Sequence, residues 1–390
     1  MNQTTLVEMA GEKAAMRDGG ETSAGPLTGM TVIETASYLT GPMTGMMLAD
    51  LGATVIKVEP PGGDPFRKFG HKRNGVSALW VNANHGKASI ELDLKTPQGA
   101  RRLKALLSSA DVLVENWRPG VADALGVGHE AISLLNPRLV RVAITGYGAT
   151  GPLAGTPVFD AMIQARTGIV DAEAAAGAAH LTPYSVVDKV TASFAAQTVL
   201  AALLDRVRTG RGTYLSVPML DIMAYFNFPD MLQHRTFADD VGEAIRSASQ
   251  TLPASDGAIV ISPLTGTQMA NTLRAVGREE WKAELRQIAD PVVMAAEFFR
   301  RVGTAVSDNT RAHWLQRFEE FDVPAAPVMT LDEHLADPQV AHNDIYRTVE
   351  SPAGPVRRAR YPIRFDGRTL APTQGPPALG AHQSLHGAVT

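Results

Sequence analysis

The sequence predicts an α/β protein: a large domain on a mostly parallel sheet, followed by a smaller α/β domain. Three observations carry this. Short β-branched runs alternate with amphipathic segments through the first half, the mark of βαβ units. A long Ala- and Leu-rich segment then closes that half. After a polar, irregular stretch, a second strand-and-helix unit opens near residue 256.

In chain order, TVIETA (31–36) is a first strand. TGPMTGMMLADLGA (40–53) has helical spacing, with Pro42 suited to a first turn. TVIKVE (54–59) is a second strand. TPQGARRLKALLSSA (96–110) is an amphipathic helix with Leu103, Leu106 and Leu107 on one face. DVLVEN (111–116) is a third strand and LVRVAITGYG (139–148) a fourth. A long helix fills much of 182–212, and GTYLSVPMLDIMAYFNF (212–228) reads as strand then helix. DGAIVIS (256–262) opens a unit of one strand and several helices. The domain reading is a mobile tail over 1–25, a large domain over 26–210, a linker over 211–255 and a small domain over 256–330. Residues 331–390 form a Pro-, Gly- and Arg-rich C-terminal segment returning over the large domain or a partner chain.

Of 390 residues, 45% are hydrophobic and 19% charged, which is ordinary for large soluble cores. The net charge of −4 argues against a nucleic-acid or membrane-surface partner. With no cysteine, disulfides and thiolate chemistry are excluded. The first 25 residues lack the apolar core of a secretory signal, and no run of 18 apolar residues suggests a membrane span. A cytoplasmic protein is expected.

Several chemistries lack their motifs. The turn after the first strand, ETASYLTGPMTG, holds Gly41 and Gly45 but no G-x-G-x-x-G, so dinucleotide binding is disfavoured although Glu59 could mimic the ribose-binding acid. There is no P-loop, no G-x-S-x-G and no H-E-x-x-H, so no metal site is expected. His85, His129 and His180 read as solvated. Asp188 stands out as a carboxylate between Val186-Val187 and the Ala-rich helix. Its plain reading is an N-cap. Asp160, before AMIQA, has the same plain reading.

Four strings remain, in order: ADLGATVIKVEPPGGDPFR (49–67), NANHGKASIELDLKTPQG (82–99), ADVLVENWRPG (110–120) and NPRLVRVAITGYGATGP (136–152). Together they resemble the segments of the family III CoA-transferases, a group that includes formyl-CoA:oxalate and carnitine CoA-transferases and α-methylacyl-CoA racemase. The likeness is strong over 27–220, resumes at DGAIVIS and returns at PPALGAHQSL near the C-terminus.

The resemblance implies a Rossmann-like large domain, a small domain, and two chains threaded as interlocked rings. Coenzyme A or an acyl-CoA would be substrate rather than a permanently bound cofactor, and a small carboxylic acid the acceptor. CoA contacts would come from Tyr38 and Leu39, from Leu92 to Lys95, and from Asn116, Trp117 and Arg118. Lys95 and Arg118 suit phosphates, and Trp117 suits adenine stacking. Arg67 and Lys87 are assigned a solvated or phosphate-facing role. The family's catalytic carboxylate falls on Asp188, while Asp160 and Tyr147 fall near the substrate.

A carboxylate of ordinary pKa, ~4, needs no general base. By that route Asp188 attacks an acyl-CoA thioester, forms a mixed anhydride and then carries CoA as an aspartyl thioester. Two rivals stand beside this reading. The racemase branch carries a His directly before the second acid, where this chain has Phe159, which cannot move a proton. A non-catalytic acyl-CoA binding protein is the other. Lys189 beside the acid departs from the family pattern, and SPLTGTQ (262–268), with one Gly, is the nearest candidate for a glycine-rich covering loop.

Overall fold

The computed structural model describes residues 25–174, 180–240, 242, 250–351, 353–370 and 374–386. Residues 1–24, nearly all of the expected tail, lie outside the described residues. Six strands form the main sheet: β1 (Thr31–Glu34), β2 (Thr54–Glu59), β3 (Lys87–Glu91), β4 (Val112–Glu115), β5 (Val140–Thr145) and β6 (Tyr214–Pro218). All adjacent pairs are parallel, in the order β3-β2-β1-β4-β5-β6. This is the doubly wound Rossmann order, which reverses direction between β1 and β4.

Strand β3 corrects the sequence reading, because DVLVEN supplies the fourth strand of the sheet and not the third. The β3 segment hides its character because Lys87 and Ser89, both polar, are buried beside Ala88 and Ile90.

The sheet is covered on both faces, as a parallel sheet must be. On one face Val32, Val55, Val114 and Val142 pack with Leu48 of α1 (Thr40–Asp50) and with Ala195, Val199 and Leu203 of the long helix Val186–Thr209. On the other, Ile33, Ile56 and Leu113 pack with Leu103, Leu106 and Leu107 from Pro97–Leu107. That helix starts as its sequence dictates: the Thr96 hydroxyl accepts from the Gly99 N–H at 3.0 Å, and Pro97 occupies the first turn. The helix Val186–Thr209 is long and apolar enough to cross a membrane, yet its Val187, Ala192, Ala195 and Val199 are fully buried in this core.

Gly41 and Gly45 let α1 approach the sheet. A Cβ on Gly41 would lie 2.1 Å from Ala36 Cβ, and one on Gly45 2.0 Å from the Glu34 carboxylate. They serve close helix–strand packing, one of the tasks of the dinucleotide fingerprint, without its phosphate loop.

The chain divides into two compact units: one runs up to Leu232 and resumes at Asp344, the other is Gln233–Asn343. Residues 211–255, expected as a linker, contain β6, the helix Met219–Met231 and the strand Gln250–Ala254. Among its described residues the second unit carries three strands rather than one: Gln250–Ala254, Gly257–Ile261 and Ala325–Pro327, antiparallel, over Phe298, Phe299 and Val302 of Pro291–Val306. Pro253 disguises the first of these, and an edge strand tolerates it. From Asp344 the chain rejoins the first unit. Arg73 donates to Ala353 O at 2.7 Å, and His382 N and Gly380 N donate to Ser89 O and Oγ at 2.9 and 3.0 Å. Those last contacts cover the open edge of β3.

Candidate active site

The order reversal between β1 and β4 leaves a crevice at the C-terminal strand ends, the place where open α/β sheets bind ligands. The loops on its two sides are stitched together. Ser37 N donates to Asn116 Oδ1 at 3.0 Å, and Asn116 Nδ2 donates back to Ser37 O at 2.9 Å. Tyr38 follows with a left-handed backbone, φ 67°, a conformation that costs a bulky residue ~1–3 kcal/mol. Asp64 accepts its N–H at 3.2 Å, and Lys57 holds Asp64 at 3.0 Å while donating to Ala36 O at 2.8 Å. Lys57, Lys87, Glu34 and Asp64 form a buried ionic cluster, with both lysines 2.8 Å from Glu34. The Tyr38 ring meets Phe66, Phe69 and Phe159 at 6.5, 6.3 and 5.6 Å.

A pair of carboxylates stands beside this loop. The N-cap of Val186–Thr209 is Ser185, and Asp188 lies inside the first turn, which corrects the N-cap reading. Asp160 is likewise the first residue of its helix, Asp160–Arg166, behind Phe159 as N-cap. Yet Asp160 does cap a helix, from another element. Its Oδ2 accepts the Asp188 N–H at 3.0 Å, and its Oδ1 accepts from Gln164 Nε2 at 2.5 Å. The Asp188 side chain receives its own bond, from the Thr40 hydroxyl in the first turn of α1 to Oδ1. Burial pushes the Asp188 carboxyl up to about 6; the Thr40 bond opposes this, Asp160 adds to it and Lys189 opposes it. The ordinary carboxylate value expected from sequence is therefore corrected upward. At neutral pH the ionised form still outnumbers the acid by roughly ten to one.

The other expected residues occupy the same C-terminal edge of the sheet with different exposures. Lys95 and Arg118 are exposed, and Leu39, Asn116, Trp117 and Tyr147 are half-buried. Leu92 is 4% exposed, its side chain packed in the core with Ile90 and Leu103. Arg67 and Lys87 are not phosphate-facing. Arg67 makes two bonds to Glu59 at 2.7 and 2.8 Å and lies 3.6 Å over the Trp80 ring, while Lys87 is buried on Glu34. Glu59 is thereby occupied rather than offered to a ribose, with Ser89 as a further donor at 2.5 Å. His85, expected in solvent, is buried 2.9 Å from Asp50. Residues 262–268 run into a capping box of Thr265 and Gln268 that starts the helix Gly266–Ala275. Thr40 and Asp64 are the site residues that sequence reasoning missed. The one available signal was their position in the segments that follow the first two strands.

The fold and this crevice define a Rossmann-like α/β enzyme with a half-buried carboxylate at a helix start beside the crevice. The chain belongs to CoA-transferase family III, whose model matches residues 27–383. It is 30% identical to the succinate–glutarate CoA-transferase of Agrobacterium fabrum, over 92% of this chain and 94% of that protein. It is 32% identical to the acetyl-CoA:oxalate CoA-transferase of Acetobacter aceti, over 86% of this chain and 90% of that protein. A CAIB/BAIF family protein from Brucella suis has the same fold, with a TM-score of 0.83, 29% identity, and coverage of 94% of this chain and 99% of that one. The chain is a CoA-transferase, and acyl-CoA and carboxylate substrates are those of its family.

Proposed function

We propose that this CoA-transferase works through Asp188 as a covalent nucleophile. The observation that carries the reading is a half-buried carboxylate at the start of a helix, anchored at one oxygen by Thr40 and at its N–H by Asp160. Asp188 Oδ2 attacks the thioester carbonyl and the CoA thiolate leaves, giving a mixed anhydride. The thiolate then attacks Asp188 Cγ, the donor acid departs, and CoA is held as an aspartyl thioester. The acceptor carboxylate repeats these steps in reverse. Protons balance throughout, so no general base is required. Tyr38, Leu39, Lys95, Asn116, Trp117 and Arg118 bind CoA, Leu92 through its backbone alone, and Asp160 and Tyr147 face the substrate.

Asp188→Asn tests the assignment. The amide is a poor nucleophile, so transfer is lost while the fold and CoA affinity persist. Treating the wild type with a cognate acyl-CoA and then hydroxylamine modifies one peptide, the one holding Asp188. Near wild-type transfer by the Asn variant would overturn the reading. A panel of CoA thioesters and free acids, followed by mass spectrometry, identifies donor and acceptor.

The same reading has the enzyme acting as a homodimer. Leu200, Leu204 and Val207, spaced along one helix face, are exposed, as is Tyr225 on the neighbouring helix. Such a face suits a second copy of the chain. A cytoplasmic location follows from where acyl-CoA thioesters are made and used; recovery in a membrane or extracellular fraction would contradict it.

A further inference from the structure

We propose that the Thr40 hydroxyl is the oxyanion donor for the aspartyl steps and that it divides the labour between the two oxygens of Asp188. The inference rests on the covalent reading above and adds a residue to it.

The geometry is specific. Thr40 opens α1, so no helical carbonyl lies four residues behind it to claim its hydroxyl, the usual fate of a helical Thr. Its own carbonyl is taken by the Thr44 hydroxyl at 2.9 Å. The side chain is β-branched and 5% exposed, so it is held in place with little water to compete. Its partner is Asp188 Oδ1. Among the described residues no donor bonds Oδ2, which is left as the attacking atom.

Both steps at Cγ then place negative charge on Oδ1. When CoA thiolate attacks the anhydride, a C–S bond forms and the carbonyl pair moves onto Oδ1. The pair returns as the Cγ–Oδ2 bond breaks, and the donor acid leaves with Oδ2. When the acceptor carboxylate attacks the thioester, a C–O bond forms, Oδ1 again takes the pair, and thiolate departs. The Thr40 O–H points at this oxygen before, during and after each attack, as a preorganised donor should. The α1 N-terminus favours the same charge.

One consequence distinguishes this role from simple packing. The acceptor leaves one of its oxygens on Asp188 in every turnover, always in the Oδ2 place. Oδ1 is never exchanged while Thr40 holds it. The probe is succinyl-CoA with glutarate labelled at both carboxylates with heavy oxygen, run for many turnovers in ordinary water, followed by mass analysis of the Asp188 peptide. Wild type gains a single heavy oxygen. Thr40→Val, equal in shape but without a donor, gains both, and its kcat falls by about a hundredfold to a thousandfold with KM for succinyl-CoA unchanged. Thr40→Ser restores the single label. A substrate-free readout accompanies it: in carbon-13 spectra of Asp-labelled protein, the Asp188 titration midpoint rises in Thr40→Val and returns in Thr40→Ser. A Thr40→Val enzyme with an unshifted midpoint, a single label or wild-type kcat overturns the Thr40 role alone. Turnover with no label on Asp188 in any of the proteins overturns the covalent reading, and this role with it.

Discussion

At the scale of single residues, the site is governed by two acids that share one helix start. Asp160 accepts the backbone N–H of Asp188 and at the same time repels its carboxylate. Transfer that depends on ionised Asp188 therefore rises with pH through about 6 and levels above it. Asp160→Asn keeps a capping oxygen but removes the like charge. Its pH–rate profile is expected to have an acid limb shifted to lower pH, and a limb that stays or moves up would contradict the coupling. Stability has the opposite sign. The folded-state pKa of Asp188 lies above the ordinary value, so its contribution to stability diminishes as pH rises from about 4 to about 6. Phe159, immediately before Asp160, brings an aromatic edge to Tyr38 and no proton. A 2-methylacyl-CoA incubated with the enzyme in D₂O is expected to remain unlabelled at its α-carbon. Enzyme-dependent deuterium uptake would place the chain with the racemases.

At the scale of elements, the crevice depends on how closely α1 lies on the sheet. Gly45 sits over Glu34, whose carboxylate is clamped by Lys57 and Lys87 and has no room to retreat. Gly45→Ala is expected to destabilise the protein by ~1–3 kcal/mol, the cost of overpacking, although Ala is the better helix former. Urea titration measures this; an unchanged midpoint would show that the contact relaxes freely. Because Thr40 lies in the first turn of that helix, the same variant should also weaken transfer. The two loops bound through Asn116 form a second such element, a side-chain clamp from the end of β4 to the loop after β1.

At the scale of the whole molecule, the exposed Leu204, Val207 and Tyr225 predict association. Light scattering at micromolar concentration is expected to give about twice 41.5 kDa. A monodisperse monomer would count against the dimer and leave that face without an occupant. The C-terminal segment bears on the same scale. It covers the edge strand β3 through His382 and Gly380, so removing residues from 374 onward is expected to expose that edge rather than simply shorten the chain.

The sequence by itself determined the alternation of strands and helices, the parallel sheet, the family and the candidacy of Asp188. Those are local or ordered signals: β-branched runs, an amphipathic period, and strings that keep their order along the chain. Tertiary structure decided the rest. Strand β3 was invisible because its buried polar residues are satisfied by Glu34, Glu59 and the C-terminal segment, all far away in sequence. Asp188 looked like a cap because local sequence shows only a carboxylate before a helix. Its real partners are Thr40, 148 positions away, and Asp160, 28 positions away. Its raised pKa has the same origin, since burial is a property of the packed surroundings and not of the neighbours in the chain.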